Sequence, residues 1–308
     1  MKTNLLIVRL LTRKIISLIL LYWCLPVSMN GQSIAELKKP LTPVFDQLEI
    51  RQPPTELNLD PFYQKYVDAG GIAIISSEKT SDDALLVAAA IVNYMLQKRD
   101  DIRTELIKRK CKVQVMASSE GLMDLPEQRD KKKPLRDDKR LTDKERENYD
   151  KPGGIGEMTD REYWNQRSRG MGGSNATSCA EENLLGYEDD RYYGENIFVH
   201  EFSHTIFFAL KEVDPDLCAE VEAAYEAAKN SGMYKGQYAI NTLAEYWAEG
   251  TQWWFWSNYE FYDGETRVQS PEDLQAYDSS LYQALDKVYE GHQIPADVYY
   301  GQNLKRFR

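Results

Sequence analysis

The chain has 308 residues, room for one large domain or two small ones, and its 42% apolar content is ample for a packed core. Its 49 acidic and 38 basic residues leave a formal charge of −11. That balance excludes a nucleic-acid partner, whose binding needs clustered Lys and Arg to neutralise phosphates.

Residues 1–31 read as a signal peptide. Lys2, Arg9, Arg13 and Lys14 precede the apolar "IISLILLYWCLPV", and small or polar residues follow in "SMNGQS". The apolar run is too short for a comfortable bilayer span. Arg9 and Arg13 would interrupt a longer one, which argues against an uncleaved anchor. The expectation is a secreted protein with no stable membrane insertion after signal removal. Residues 32–60 are polar and proline-punctuated and read as an extended lead-in.

From residue 61 the chain reads as one domain. "GIAIISS" is an isoleucine-rich run typical of a buried strand. In "SDDALLVAAAIVNYMLQKR", Leu85, Ala88, Ala89, Val92 and Leu96 share one helical face, Thr80 or Ser81 can cap it, and Asp82 and Asp83 suit its positive end. "CKVQVMAS" alternates polar and apolar and reads as a second strand. Strand, helix, strand predicts a small sheet with a helix across it. Residues 119–173 turn charged and glycine-rich, including the basic run 131–133, and are expected to be a long excursion over the surface. Their "GMGG" lacks the context of a phosphate loop. After Tyr193 the chain becomes mainly helical.

The chemistry concentrates in "NIFVHEFSHTIFFAL". The chain has three histidines, and two of them stand four residues apart here. Positions i and i+4 lie one above the other on a helix, so His200 and His204 can share one Zn²⁺, with Glu201 beside them to hold a water and take its proton. Phe198, Val199, Phe202, Ile206 and Phe207 would bury this helix, and an unpaired buried imidazole pair is costly. The bland alternative is a pair of core histidines bonded to carbonyls. A third ligand is needed. His292 is one candidate. The better one is "YAINTLAEYWAEGTQWWFW", where a helix from Asn241 to about Asn258 puts Glu245 and Glu249 on one face. One can bind the metal while the other orients a ligand histidine.

"VHEFSH" followed about forty residues later by "Y-x-x-N-x-x-x-E-Y-W-A-E" resembles the gluzincin metallopeptidases, specifically the anthrax lethal factor catalytic-domain type. Bacterial Pro-Pro endopeptidases belong to the same broad group. The resemblance implies an α+β, zincin-like fold, with a small sheet-containing N-terminal lobe (61–194) and a helical C-terminal lobe (195–308). It implies His200, His204 and Glu245 as zinc ligands and Glu201 as general base. Tyr238 would face the developing oxyanion, and Glu249 would stand behind a ligand. The implied activity is peptide-bond hydrolysis: water acidified by zinc, from a pKa of about 15.7 toward 7, attacks a carbonyl, and Glu201 passes the proton to the leaving amine. An edge strand bordering the cleft is also implied, and "ENLLGY" is a candidate for it, or else a connecting loop.

Other features stay secondary. "TQWWFWSNYEFY" reads mainly as core, with one edge available to the cleft. Loss of Cys24 with the signal leaves Cys111, Cys179 and Cys218, at most one bridge, for which Cys179 and Cys218 flanking the histidine helix are the expected pair. Asn175 in "NAT" is a glycosylation acceptor only in a eukaryotic source. Two rival readings remain open: an extracellular matrix or interaction protein that kept the fold without cleaving, and a zinc hydrolase acting on a non-peptide bond.

Overall fold

A sheet that is apolar on both faces needs a cover on each, and this requirement organises the chain. The computed structural model describes residues 48–138 and 141–289, all within the unit 40–308. Residues 1–31, most of the lead-in and His292 lie outside the described residues. Strand β1 (Lys65–Ala69) turns through Gly70 and Gly71 into antiparallel β2 (Ile72–Ser76). Both glycines have positive φ, 64° and 92°, as a two-residue hairpin turn of matching twist requires. Helix α1 (Asp82–Met95) then crosses to β3 (Lys112–Met116), which runs parallel to β2, with α2 (Asp100–Lys108) between. Strand β4 (Ala176–Ala180) runs parallel to β3 and completes the order β1-β2-β3-β4. The chain is thus mixed α and β, a small sheet among many helices.

Side-chain alternation along these strands divides the core in two. Ile72, Ile74, Val113, Val115 and Cys179 join the large cluster beneath the helices. Ala73, Ile75, Met116 and Ala180 face the other way, onto Leu122, Leu125, Leu141, Tyr149, Ile155, Tyr163 and Trp164. Residues 119–173 are therefore not a surface excursion: they cover the second face of the sheet. Their apolar residues are too sparse to show a period, so composition hid them. Two short helices, α3 (Asp143–Asn148) and α4 (Asp160–Arg167), start on reciprocal caps, Thr142 with Glu145 and Thr159 with Glu162. Within the basic run, the Lys133 ammonium donates to the carbonyls of Ile155 (2.7 Å), Gly156 (2.8 Å) and Met158. It is a clamp rather than a solvated charge.

The chain after β4 is helical. "ENLLGY" forms no strand: its first half belongs to a short helix, α5 (Glu181–Leu184), and Leu185, Gly186 and Tyr187 form the connecting turn that follows. The Glu181 carboxylate accepts from the backbone N–H groups of Ser81 and Ser118, both at 2.7 Å. Helix α6 (Ile197–Val213) carries the two histidines and buries Phe198, Phe202, Ile206 and Leu210 against the sheet side. Helix α7 (Pro215–Ser231) returns along it, and α8 (Leu243–Trp254), capped by Thr242, crosses it. The expected helix from Asn241 to about Asn258 is thus shorter at both ends. Beyond it come a small hairpin, β5 (Phe261–Tyr262) with β6 (Arg267–Val268), and helices α9 (Pro271–Tyr277) and α10 (Ser279–Tyr289). No helix of the described residues is long and apolar enough to cross a membrane.

Cys111, Cys179 and Cys218 are free, so the expected Cys179–Cys218 bridge does not form. Flanking a helix in sequence does not bring two residues together: α6 has 17 residues and spans roughly 25 Å. The crossing of α6 by α8 is instead locked by Trp247. Its ring stacks on Phe207 at 5.3 Å, its Nε1–H donates to the Ser203 carbonyl at 3.1 Å, and it is fully buried. Trp247→Ala is expected to destabilise the protein by about 3–5 kcal/mol, mainly the cost of the cavity left by a large buried side chain, with one hydrogen bond lost beside it. Denaturant unfolding measures this, and a loss below about 1 kcal/mol would show that the crossing does not depend on the indole.

Candidate metal centre

Helix α6 starts where Asn196 accepts the Val199 N–H at its N-terminus. One turn on, His200 and His204 project on the same side, with ring centroids 4.9 Å apart and planes at 82°. Thr242 caps α8 by accepting the Glu245 N–H, which places that carboxylate on the first turn, facing the imidazoles. Glu245 Oε2 lies 3.0 Å from His200 Nε2 and 3.5 Å from His204 Nε2. A tetrahedral zinc with bonds near 2.0–2.1 Å separates its donors by roughly 3.3 Å, so the spacing suits such an ion. His200, His204 and Glu245 form the group of side chains, among the described residues, whose ligand atoms all lie within 4.8 Å of one another. Two imidazoles and a carboxylate are also a donor set that zinc takes in open sites.

The electrostatics follow from this crowding. Burial by itself would depress the His200 imidazole, but the Glu245 hydrogen bond and the charges of Glu201, Glu249 and Glu245 outweigh it and raise it to about 10. Against its own burial, Glu245 is held well below the usual carboxylate range by the hydrogen bonds from His200 and His204. Both shifts favour the charged forms of the pair, so an ion held by these groups would displace a proton.

Behind His200 stands a residue that the sequence reading missed. Gln252, fully buried, accepts from His200 Nδ1 at 2.8 Å. Glu249, expected in that position, lies 3.6 Å from Nδ1 and accepts from Asn258 Nδ2 at 2.6 Å. Burial lifts Glu249 above the usual carboxylate range. Gln252 follows Glu245 by seven residues, two helical turns, so the face that holds Glu245 and Glu249 also holds it. That spacing was the available signal.

Glu201 lies beside the histidines at the cleft, and its Oε2 accepts the Gly172 N–H at 2.5 Å. The "GMGG" stretch thus has a place. Met171 pairs with Ser178 of β4 in both directions, at 3.1 and 2.8 Å, so this segment, rather than "ENLLGY", lies along the edge of the sheet. A Cβ on Gly172 would sit 2.4 Å from the Glu201 carbonyl oxygen and 2.8 Å from the His204 Cβ. Only glycine permits so close an approach to α6.

Tyr238 lies in a single helical turn before α8; the residue as a whole is 57% exposed, and its ring stacks on His200 at a centroid distance of 6.4 Å. Its hydroxyl interacts with the Glu245 carboxylate, and its pKa is raised, first by withdrawal from water and then by the Glu245 charge. These groups line an open cleft of ≈ 640 Å³, walled also by Arg167, Tyr192, Trp253, Tyr259 and Phe261. Trp253, Trp254 and Phe255 are buried, while Tyr259 is 46% exposed at the cleft. The aromatic stretch is core with one edge on the groove.

No protein-family model matches the sequence, and neither does any curated protein. Among solved structures the chain is similar to that of the PRO-PRO endopeptidase (PPEP-2) from Paenibacillus alvei. The identity is 12% and the TM-score 0.40, over 70% of this chain and 96% of that chain.

Proposed function

We propose that this chain is a zinc-dependent endopeptidase of the gluzincin kind, and that residues 1–31 export it as a secreted protein. The convergence of His200, His204 and Glu245 at the floor of an open cleft, with Glu201 alongside, supports the reading best. The cleft falls within the size range of ligand sites, about 300–1,000 Å³, and its openness suits a chain lying along it.

His200 and His204 through Nε2, and Glu245 through Oε2, would hold the ion. When bound, zinc supplies Lewis acidity, which polarises a carbonyl and makes a nearby water acidic enough to ionise near neutral pH. The rest belongs to the protein. Glu201, fixed by the Gly172 N–H, takes the proton from the attacking water through its carboxylate and delivers it to the leaving amine. Tyr238, stacked on His200 and beside Glu245, brings a hydroxyl to the same floor, where it would donate to the oxygen on which charge develops. A tyrosine hydroxyl, which ordinarily ionises only at about pH 10, is protonated across the neutral range.

Metal analysis of the purified protein, followed by cleavage of a peptide library with and without chelator, tests the proposal. Stoichiometric zinc with chelator-sensitive cleavage is expected. Zinc without peptide cleavage would transfer the site to another bond type, and absence of zinc would leave a non-catalytic interaction protein. Tyr238→Phe is expected to lower kcat about 10²- to 10³-fold, the usual loss for one oxyanion donor, with KM nearly unchanged. A fall in kcat of less than threefold would remove Tyr238 from the reaction.

A further inference from the structure

The buried amide of Gln252 has both its donors and its oxygen engaged in one arrangement. Its Nε2 donates to two backbone carbonyls, those of Asn196 at 3.1 Å and Ser257 at 3.2 Å. Carbonyls only accept, so the NH₂ group must point at them and Oε1 must point at His200 Nδ1, 2.8 Å away. An amide oxygen also only accepts. His200 Nδ1 must therefore carry a hydrogen, and Nε2, which faces Glu245 at 3.0 Å, is the nitrogen that can give up its proton and offer a lone pair to an ion.

The anchoring of Gln252 is local and stiff. Its own carbonyl accepts from the Ser257 N–H at 2.7 Å and the Ser257 hydroxyl at 3.0 Å, while the Ser257 carbonyl accepts the Asn196 N–H at 2.8 Å. Asn196 is the residue that caps α6. The end of α8 and the start of α6 are thus tied through one side chain, and that side chain sets the ring of His200. Glu249 cannot take over, because its carboxylate is held by Asn258 and stays 3.6 Å from Nδ1.

We infer that Gln252, and not Glu249, is the positioning residue that fixes the His200 tautomer and ring orientation, so that Nε2 is presented to the metal. This rests on reading His200 as a metal ligand. A neutral amide in this place raises the basicity of the imidazole less than a carboxylate does, which sets the zinc affinity of this site below that of a carboxylate-backed one.

The test is zinc affinity of the full chain, measured by competition with a chelating dye, for the wild type, Q252M, Q252E and E249Q. Q252M keeps the volume but not the acceptor, and its affinity is expected to fall 10- to 100-fold, the usual cost of losing such a partner. Q252E keeps the acceptor for Nδ1 and loses both donations to backbone, so it should retain or exceed wild-type affinity while its metal-free form melts at a lower temperature. E249Q should stay within about threefold of wild type. Wild-type affinity in Q252M, or a tenfold loss confined to E249Q, overturns the inference. If Q252M does not fold, the ¹H–¹⁵N spectrum of the zinc-loaded wild type decides. It must show His200 with hydrogen on Nδ1, and hydrogen on Nε2 overturns the inference. If the wild type itself binds no zinc, it is the metallopeptidase reading that fails, and that outcome differs from all of these.

Discussion

On the proposed function, replacing Glu201 by Gln is expected to leave the zinc content of the protein unchanged and to lower peptide hydrolysis by about 10²- to 10⁴-fold, the contribution of a positioned proton-transfer group. The first half follows from where Glu201 sits. Its carboxylate is not among the converging ligand atoms, which come from His200, His204 and Glu245. The amide that replaces it has the same shape, and its oxygen can still accept the Gly172 N–H that Glu201 accepts at 2.5 Å. The fold around the site has no reason to change. The second half follows from chemistry. A glutamine cannot take a proton from water and return it to an amine, so turnover falls to what orientation and electrostatics alone supply. Metal content by atomic spectrometry, together with the rate on any peptide the wild type cleaves, measures both halves. Turnover at the wild-type rate would remove Glu201 from the mechanism, and loss of zinc would make it a ligand.

Glu245→Gln attacks the other half of the site. The apparent binding energy of a four-ligand zinc site is about 10–16 kcal/mol, so one ligand is worth roughly 2.5–4 kcal/mol, or about 10²- to 10³-fold in affinity. That exceeds the 10- to 100-fold expected for Gln252 behind the ligand, and the ranking of the two variants is itself a test. Zinc held preferentially by the folded chain would add the same energy to its stability. At one fixed free zinc concentration the variant should gain about 5–15 °C less in Tm than the wild type does. The melting temperature must be compared with and without zinc in both proteins. Glu245 also pairs with the raised His200 imidazole in the metal-free site, so its loss shifts the metal-free baseline too. Equal zinc-induced gains in the two proteins would separate Glu245 from the metal and remove the third ligand from the site.

Much of the site was legible in the sequence because its parts repeat with the helix. His200, Glu201 and His204 needed only a helical segment to come together, and the apolar residues around them marked one. Glu245 and Glu249 were read as sharing a face for the same reason, and the structure turns both toward His200. The residue on this face that bonds His200 Nδ1 is Gln252, not the expected Glu249. A difference between 2.8 Å for Gln252 and 3.6 Å for Glu249 depends on how α8 rolls against α6, which the packing of Trp247 and the contacts of Ser257, beyond the motif, settle. The strands were legible where apolar runs were long. Strand β1, with its mixed "KYVDA", gave little signal and forms because it pairs with β2 along its whole length.

By itself the sequence determined the local pieces: the two helices that bear the imidazoles and the carboxylates, the buried strands β2 and β3, and the helix between them. These follow from short-range periodicity, which a single chain carries in full. Only the tertiary structure decided the rest. It folded the charged stretch 119–173 over the open face of the sheet, and it laid Gly172 against Glu201. It kept Cys179 and Cys218 apart, and it chose an amide to stand behind His200. Each of these joins residues distant in sequence through packing and hydrogen bonds, and no periodicity records such contacts. They exist only once burial has brought the faces together.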